Sequence, residues 1–131
     1  MAKTFKLKIV TPEKIFFEGG AEKVNLETTE GRTEILSNHS AFIAMLIPTD
    51  SKLITDKGEE KKFFSSSGIL KVDKEEVIML CDAAEWPEQI DKKRAEEAKK
   101  RAEERLSQKD GVDMKRAELA LMRAVRRIEI V

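Results

Sequence analysis

The residues best suited to chemistry lie in the last third of the chain. Ile90-Asp91-Lys92-Lys93-Arg94-Ala95 spaces an acceptor, a guanidinium and a small residue so that Asp91, Arg94 and Ala95 share one face of a helix. Arg94 and Arg101 recur at helical spacing, as do Arg123 and Arg127. Arginine grips phosphate oxygens through parallel N–H donors. Asp91 can accept from an adenine amino group, Ile90 can pack on a base, and Ala95 leaves room for a ring near the backbone. The same residues also suit a solvated helix, where the arginines would pair with Glu97, Glu104 and Glu118 at little gain each.

Other chemistries find little support. His39 is the only histidine and sits in a turn-like Asn38-His39-Ser40, which argues against metal ligation and histidine-based catalysis. There is no glycine-rich phosphate loop. Ser65-Ser66-Ser67-Gly68 has no base near it and reads as a strand–turn junction. No constellation supports catalysis. Cys81, the single cysteine, ends the apolar run from Val77 and is expected as a buried small hydrophobe. No apolar run nears the ~18 residues of a spanning helix, and no signal peptide is recognised, so a reducing cytosol is expected.

Charge divides the chain unevenly. Residues 1–87 hold 12 Lys+Arg and 15 Asp+Glu, residues 88–131 hold 13 and 10, and the total is zero. The basic end is too weakly charged to argue for nucleic acid, and it lacks aromatics after Trp86. It suits an acidic protein surface or a polyphosphate.

The elements that must position these residues follow from periodicity. Phe5, Leu7 and Ile9 alternate with Lys6 and Lys8, the period of a half-buried strand. Further short strands are expected at Ile15–Phe17, Lys23–Glu27, Ile35–Leu36, Ala41–Ile47, Lys52–Thr55, Phe63–Phe64, Ile69–Val72 and Glu76–Cys81. Turns are expected at Gly19-Gly20, Glu30-Gly31, Asp56-Lys57-Gly58 and Asp73-Lys74. Strands this short and this evenly spaced argue for an antiparallel sandwich or flattened barrel.

The pattern changes at Trp86-Pro87. Pro suits a first helical position, and Glu88 and Asp91 suit a first turn. A helix is expected from Pro87 to about Lys109, ended by Gly111 as a C′ residue. Asp113 caps a second helix running to about Ile128. The short connection makes the two antiparallel neighbours, which lets the four arginines converge. Their facing stripes are small: Ala95, Ala98 and Ala102 against Ala117, Ala120 and Ala124. Such a seam buries little apolar area, so the hairpin is expected to be the less stable part.

These residues together resemble the epsilon subunit family of bacterial F-type ATP synthase. The resemblance runs through Phe5-Lys6-Leu7-Lys8-Ile9-Val10-Thr11-Pro12-Glu13, Ile35-Leu36-Ser37-Asn38-His39, Ser67 to Val72, Ala83-Ala84-Glu85, and Arg116 to Leu121. It implies an α+β fold. Residues 1–86 would form a ten-stranded antiparallel β-sandwich that binds the gamma subunit and the c-ring. Residues 87–131 would form a two-helix antiparallel hairpin that is regulatory and binds ATP. The protein would be a non-catalytic subunit at the cytoplasmic face of the bacterial plasma membrane, peripheral through its complex. The hairpin would lie compact on the sandwich, or extend into the catalytic head and inhibit ATP hydrolysis.

Ile90-Asp91-x-x-Arg94-Ala95 matches the family's ATP motif at every fixed position. The resemblance adds Glu85, Arg101, Arg123 and Arg127 as ATP contacts, with ATP a regulatory ligand needing no dedicated metal site and no catalytic cofactor present. It implies Lys115, Arg116, Arg123, Arg126 and Arg127 as inhibitory contacts with the alpha and beta subunits. Glu30, Arg32 and His39 are implied at the c-ring or gamma contact. Gly31-Arg32-Thr33-Glu34 departs from the Gly-x-Leu-Gly run of many relatives, with Arg32 where an acidic residue is common. Trp86-Pro87 is also unusual, and Pro87 is expected to stiffen the junction.

Overall fold

A computed structural model describes residues 3–108 and 113–131. Nine strands come first: β1 (Phe5–Val10), β2 (Ile15–Thr28), β3 (Gly31–Leu36), β4 (Phe42–Leu46), β5 (Thr49–Thr55), β6 (Glu60–Ser65), β7 (Gly68–Val72), β8 (Glu76–Cys81) and β9 (Ala84–Glu85). A 3-10 turn at Pro87–Gln89 leads into helices α1 (Lys92–Ser107) and α2 (Met114–Ile130).

The sandwich follows from alternation. On β1, Phe5, Leu7 and Ile9 are buried while Lys6 stays exposed. On β5 the buried set is Thr49, Ser51, Leu53 and Thr55, and the Ser51 and Ser65 hydroxyls meet at 2.7 Å. The hydroxyls inside this layer are therefore satisfied, which removes most of the cost of burying them. Leu7, Ile9, Val24, Leu26, Ile35, Leu53, Phe63, Leu70 and Met79 carry the core and are wholly enclosed.

The strands pair in the order β1-β8-β7-β4-β2-β5-β6-β9, with β3 and β1 also on β2. Ile15 to Ala21 of β2 pair with β1, while Lys23 to Thr28 pair with β3. The β2–β5 register slips between Ala21 and Lys23, a bulge that lets one strand bend between both layers.

The β-sandwich and helical hairpin are as expected, with two differences in the sheet. The described residues form nine strands, because Gly19-Gly20 is not a turn. It lies inside the 14-residue β2 and joins two segments expected to be separate. A Cβ at Gly20 would sit 2.6 Å from an oxygen of the exposed Asp56 side chain, which would have to turn away. Also, β1 pairs with β8 in parallel, not antiparallel. Alternation fixes which side chains face inward, but it does not encode strand direction. The turn at Asp56-Lys57-Gly58 is as expected and joins β5 to β6, with Gly58 at φ 81°.

The helical region also begins differently. Pro87 opens a single 3-10 turn, and α1 starts five residues later than expected, at Lys92. Asp91 is therefore the N-cap of α1, not a residue of its first turn; its Oδ1 accepts from the Arg94 backbone N–H at 3.1 Å. Asp113 caps α2 in the same way through Arg116, also at 3.1 Å. The Gly111 terminator lies outside the described residues. The alanine seam is as expected in part: Ala95 and Ala102 of α1 and Ala117 and Ala124 of α2 are buried, whereas Ala98 and Ala120 are half-buried. The hairpin rests on the sandwich through α2, which packs on β5 and β6.

Candidate functional site

The junction between sandwich and hairpin is anchored by Trp86. Its ring stacks on Phe16 at 4.3 Å between centroids and meets the edge of Phe63 at 6.0 Å. Its backbone N–H donates to Gln89 Oε1 at 2.9 Å, which closes the 3-10 turn. The chain therefore leaves a core aromatic, makes one tight turn and enters α1 at the Asp91 cap. Ile90, between turn and cap, is extended.

A cleft of about 680 Å³ opens at this junction. The hairpin side supplies Arg94, Ala95, Ala98 and Arg101 from α1 and Arg127 from α2; Ile90 and Asp91 form its edge. The sandwich side supplies two turns, Thr11 to Lys14 after β1 and Asp82 to Glu85 after β8. The parallel pairing of β1 with β8 explains why these turns are adjacent. Val10 lies opposite Leu80, so both strands end at the same edge.

The sequence motif is thus brought together: Glu85, Ile90, Asp91, Arg94, Ala95, Arg101 and Arg127 all line one cleft. Arg123 does not line it. Sequence reasoning missed Thr11, Glu13, Lys14 and Asp82, and no local pattern marks them; strand pairing alone places them there.

Electrostatically the cleft is mixed, with Lys14, Arg94, Arg101 and Arg127 facing Glu13, Asp82, Glu85 and Asp91. Arg127 Nε donates to Glu85 Oε1 at 2.6 Å, and its guanidinium carbon lies 4.4 Å over the Phe64 ring. Lys14, Arg94 and Arg101 are exposed, and among the described residues they form no ion pair. Nor do Glu97, Glu104 and Glu118, the partners a plain solvated helix would use. Three free cations beside the apolar lining of Ile90, Ala95 and Ala98 can take a polyanion carrying a ring. No cluster of metal-ligating side chains occurs among the described residues.

The residues expected at a partner contact separate into two places. Glu30 and His39 share a groove of about 700 Å³ with Thr33, Phe42, Ile43 and Met45. Arg32 does not line it. Neighbouring side chains of a strand point to opposite faces, so Thr33 faces the groove and Arg32 faces α2. There Arg32 donates to Asn25 Oδ1 at 2.6 Å, Thr49 Oγ1 at 2.8 Å and the Asp50 carbonyl at 2.7 Å. Ile43 and Met45 are 72% and 64% exposed, and Met45, Ile69 and Leu80 form one exposed row across β4, β7 and β8. A contiguous apolar row of that kind is the sort of surface that suits a partner. The period-two pattern placed these residues on strands without showing that their outer face is uncovered.

Cys81 is buried in the core as expected. Burial, reinforced by the neighbouring Asp82 charge, pushes its thiol from 9.0 up to about 12, so it is no nucleophile.

The architecture defined so far is a β-sandwich carrying a docked, capped helical hairpin, with a charged cleft between them. Residues 4–87 match the family described as ATP synthase, Delta/Epsilon chain, beta-sandwich domain. Residues 88–131 match ATP synthase, Delta/Epsilon chain, long alpha-helix domain. The chain belongs to the ATP synthase delta/epsilon chain family. It is 86% identical to the ATP synthase epsilon chain of Clostridium novyi strain NT over 131 residues, covering 100% of each chain. It is 47% identical to the ATP synthase epsilon chain of Clostridium kluyveri, covering 100% of this chain and 99% of that one. A chain in the mitochondrial ATP synthase of Euglena gracilis has the same fold, with a TM-score of 0.81 at 19% identity, over 94% of this chain and 78% of that one.

Proposed function

We propose that this chain is a non-catalytic epsilon subunit of the rotor stalk in a bacterial F-type ATP synthase, and that its cleft binds ATP to hold the hairpin compact. The observation that carries this reading is the cleft itself, which only the docked hairpin completes. Lys14, Arg94 and Arg101 are free to meet phosphate oxygens, while Ile90 and Ala95 accommodate a base. Arg127 is held by Glu85 through Nε, which leaves the donors of Nη1 and Nη2 to meet a phosphate. A ligand that binds the compact state alone stabilises it by about 2.7 kcal/mol at a hundred times its Kd.

Released, the hairpin would extend along the gamma subunit toward the alpha and beta subunits and block ATP hydrolysis. Lys115 and Arg116 are exposed already. Arg126 and Arg127 are occupied by sandwich carboxylates while the hairpin is docked. Their two uses exclude one another, as a switch requires. On the sandwich, the groove of Glu30 and His39 and the row through Met45, Ile69 and Leu80 would meet the c-ring and gamma subunit. Among the described residues no helix is long and apolar enough to cross a membrane; the subunit would sit at the cytoplasmic face through its complex.

Calorimetric titration of the whole chain with ATP tests the nucleotide reading. Arg94→Ala should weaken binding at least tenfold, the size of one charge-assisted phosphate contact of about 1.5–3 kcal/mol. Asp91→Ala would also remove the helix cap, so Asp91→Ser is the cleaner variant: serine still caps but is too short to reach a base. Absence of ATP heat, or binding indifferent to both substitutions, would refute the site.

A further inference from the structure

A second contact between hairpin and sandwich lies away from the cleft and uses residues that the nucleotide reading does not need. Arg126, on the last turns of α2, donates from Nη1 to Glu129 Oε2 of its own helix at 3.1 Å and also reaches the sandwich, with Nη2 3.6 Å from Glu27 Oε1 and Nη1 3.6 Å from Asp50 Oδ1. Arg32 of β3 approaches the same two oxygens, at 3.7 Å and 3.5 Å. Two carboxylates are thus shared between two guanidiniums, one fixed in the sandwich and one carried by the hairpin. Arg32 is fixed because Nε donates to Asn25, Nη2 to the Asp50 carbonyl, and Nη1, the atom that approaches both carboxylates, to Thr49, all on β2 and β5.

The geometry points to a salt-sensitive docking clamp, in which Arg32 competes with Arg126 for Glu27 and Asp50 and so sets how readily the hairpin lifts from the sandwich. This rests on the proposed exchange between compact and released hairpin, but not on ATP. When α2 leaves, Glu27 and Asp50 keep Arg32 as a partner, so no carboxylate is stranded. Glu27, 22% exposed, has the more to lose from being left without a cation, and Asp50, 45% exposed, the less. While α2 is docked, the two like-charged guanidiniums repel across the shared oxygens. Both effects favour release. The Glu85–Arg127 pair behaves differently, because among the described residues Glu85 has no second cation to fall back on.

Removing the fixed arginine should therefore tighten docking, whereas removing the mobile one should loosen it. The readout is energy transfer between labels at Lys57, on the β5–β6 turn, and Lys100 on α1, in the whole chain without nucleotide. Arg126→Gln should shift the balance toward the released hairpin by about two- to fivefold, the factor such part-exposed pairs carry. Arg32→Gln should shift it the other way by a similar factor, and should do nothing in an Arg126→Gln background. Raising salt from about 0.01 M to about 1 M cuts the screening length from about 30 Å to about 3 Å. Salt should release the hairpin of the unmodified chain more than that of Arg126→Gln, which keeps only the Glu85–Arg127 pair to be screened.

Arg32→Gln also loses bonds inside the sandwich, so Glu27→Gln and Asp50→Asn serve as a second pair. Each should loosen docking, because each removes an anion that holds Arg126. Docking insensitive to Arg126→Gln and to salt would overturn the clamp, as would looser docking in a folded Arg32→Gln. Repeating the series with ATP separates the two ideas. Distances that respond to salt and Arg126 but never to ATP sink the nucleotide reading alone; distances that respond to ATP but not to Arg126 sink the clamp alone.

Discussion

Phe63 and Phe64 are adjacent in sequence, equally apolar and both wholly buried, yet they belong to different parts of the molecule. Phe63 points into the sandwich, among the core side chains and against Phe16 and Trp86. Phe64 points outward and is covered by α2, with the Arg127 guanidinium over its ring. One is buried by the fold itself, the other by an element that can in principle leave. The contrast extends to the surrounding material. The sandwich is filled by Leu, Ile, Val, Met and Phe, whereas the two helices meet on four buried alanines. A buried large side chain contributes about 1.5–3 kcal/mol, and an alanine far less. The hairpin is therefore attached to the sandwich by a few specific contacts of α2: Phe64, Glu85 with Arg127, and Glu27 and Asp50 with Arg126. An element attached this way can be exchanged without unfolding its support.

Substitution at the two phenylalanines breaks the comparison most directly. Phe63→Ala should cost about 3–5 kcal/mol of global stability, read as a lowered midpoint in chemical denaturation of the whole chain. Phe64→Ala should leave the sandwich transition much closer to that of the parent and should shift the hairpin-distance signal toward release. Equal losses of global stability at both positions would mean that hairpin and sandwich form one cooperative unit.

A smaller effect is expected at the helix seam. Ala124→Leu forces added volume between closely spaced backbones, at about 1–3 kcal/mol. That loss should appear as faster amide exchange in α1 and α2, with the strands unchanged.

The smallest effect at neutral pH concerns Cys81, and it sharpens the contrast by acting on the sandwich alone. Its folded pKa, about 12, lies above its ordinary 9.0. Between these values the unfolded chain loses the thiol proton while the folded chain keeps it. The contribution to stability is therefore complete below pH 9.0 and declines as pH rises toward 12. Denaturation series above pH 9 should show that decline and lose part of it in Cys81→Ala, while hairpin docking keeps no Cys81-dependent slope.

Much of this was legible in the chain. Alternation at Phe5, Leu7 and Ile9 gave the inward face of β1, and Asp56-Lys57-Gly58 gave a hairpin, because both signals are local. Alanine spacing gave the seam, and Asp113 its cap. Gly19-Gly20 suggests a turn, since glycine marks turns more often than strand interiors, and only its pairing with Leu7 and Lys6 of β1 makes it strand. Asp91 was read as helical because one residue separates a cap from a first turn. The preceding 3-10 turn, closed by Gln89 onto Trp86, moved that boundary.

By itself the sequence determined the two-part architecture and grouped Ile90, Asp91, Arg94, Ala95 and Arg101, since helical spacing carries those neighbours along one short segment. Tertiary structure decided what faces them. The parallel pairing of β1 with β8 brings Lys14, Glu13 and Asp82 to the cleft, and the seating of α2 on β5 and β6 brings in Arg127 but not Arg123. It also placed Arg32 apart from the groove of Glu30 and His39, bonded to Asn25, Thr49 and Asp50, because a strand presents alternate residues to opposite faces. Side-chain period is a local property; strand direction and the docking of one layer on another are settled only when distant segments meet.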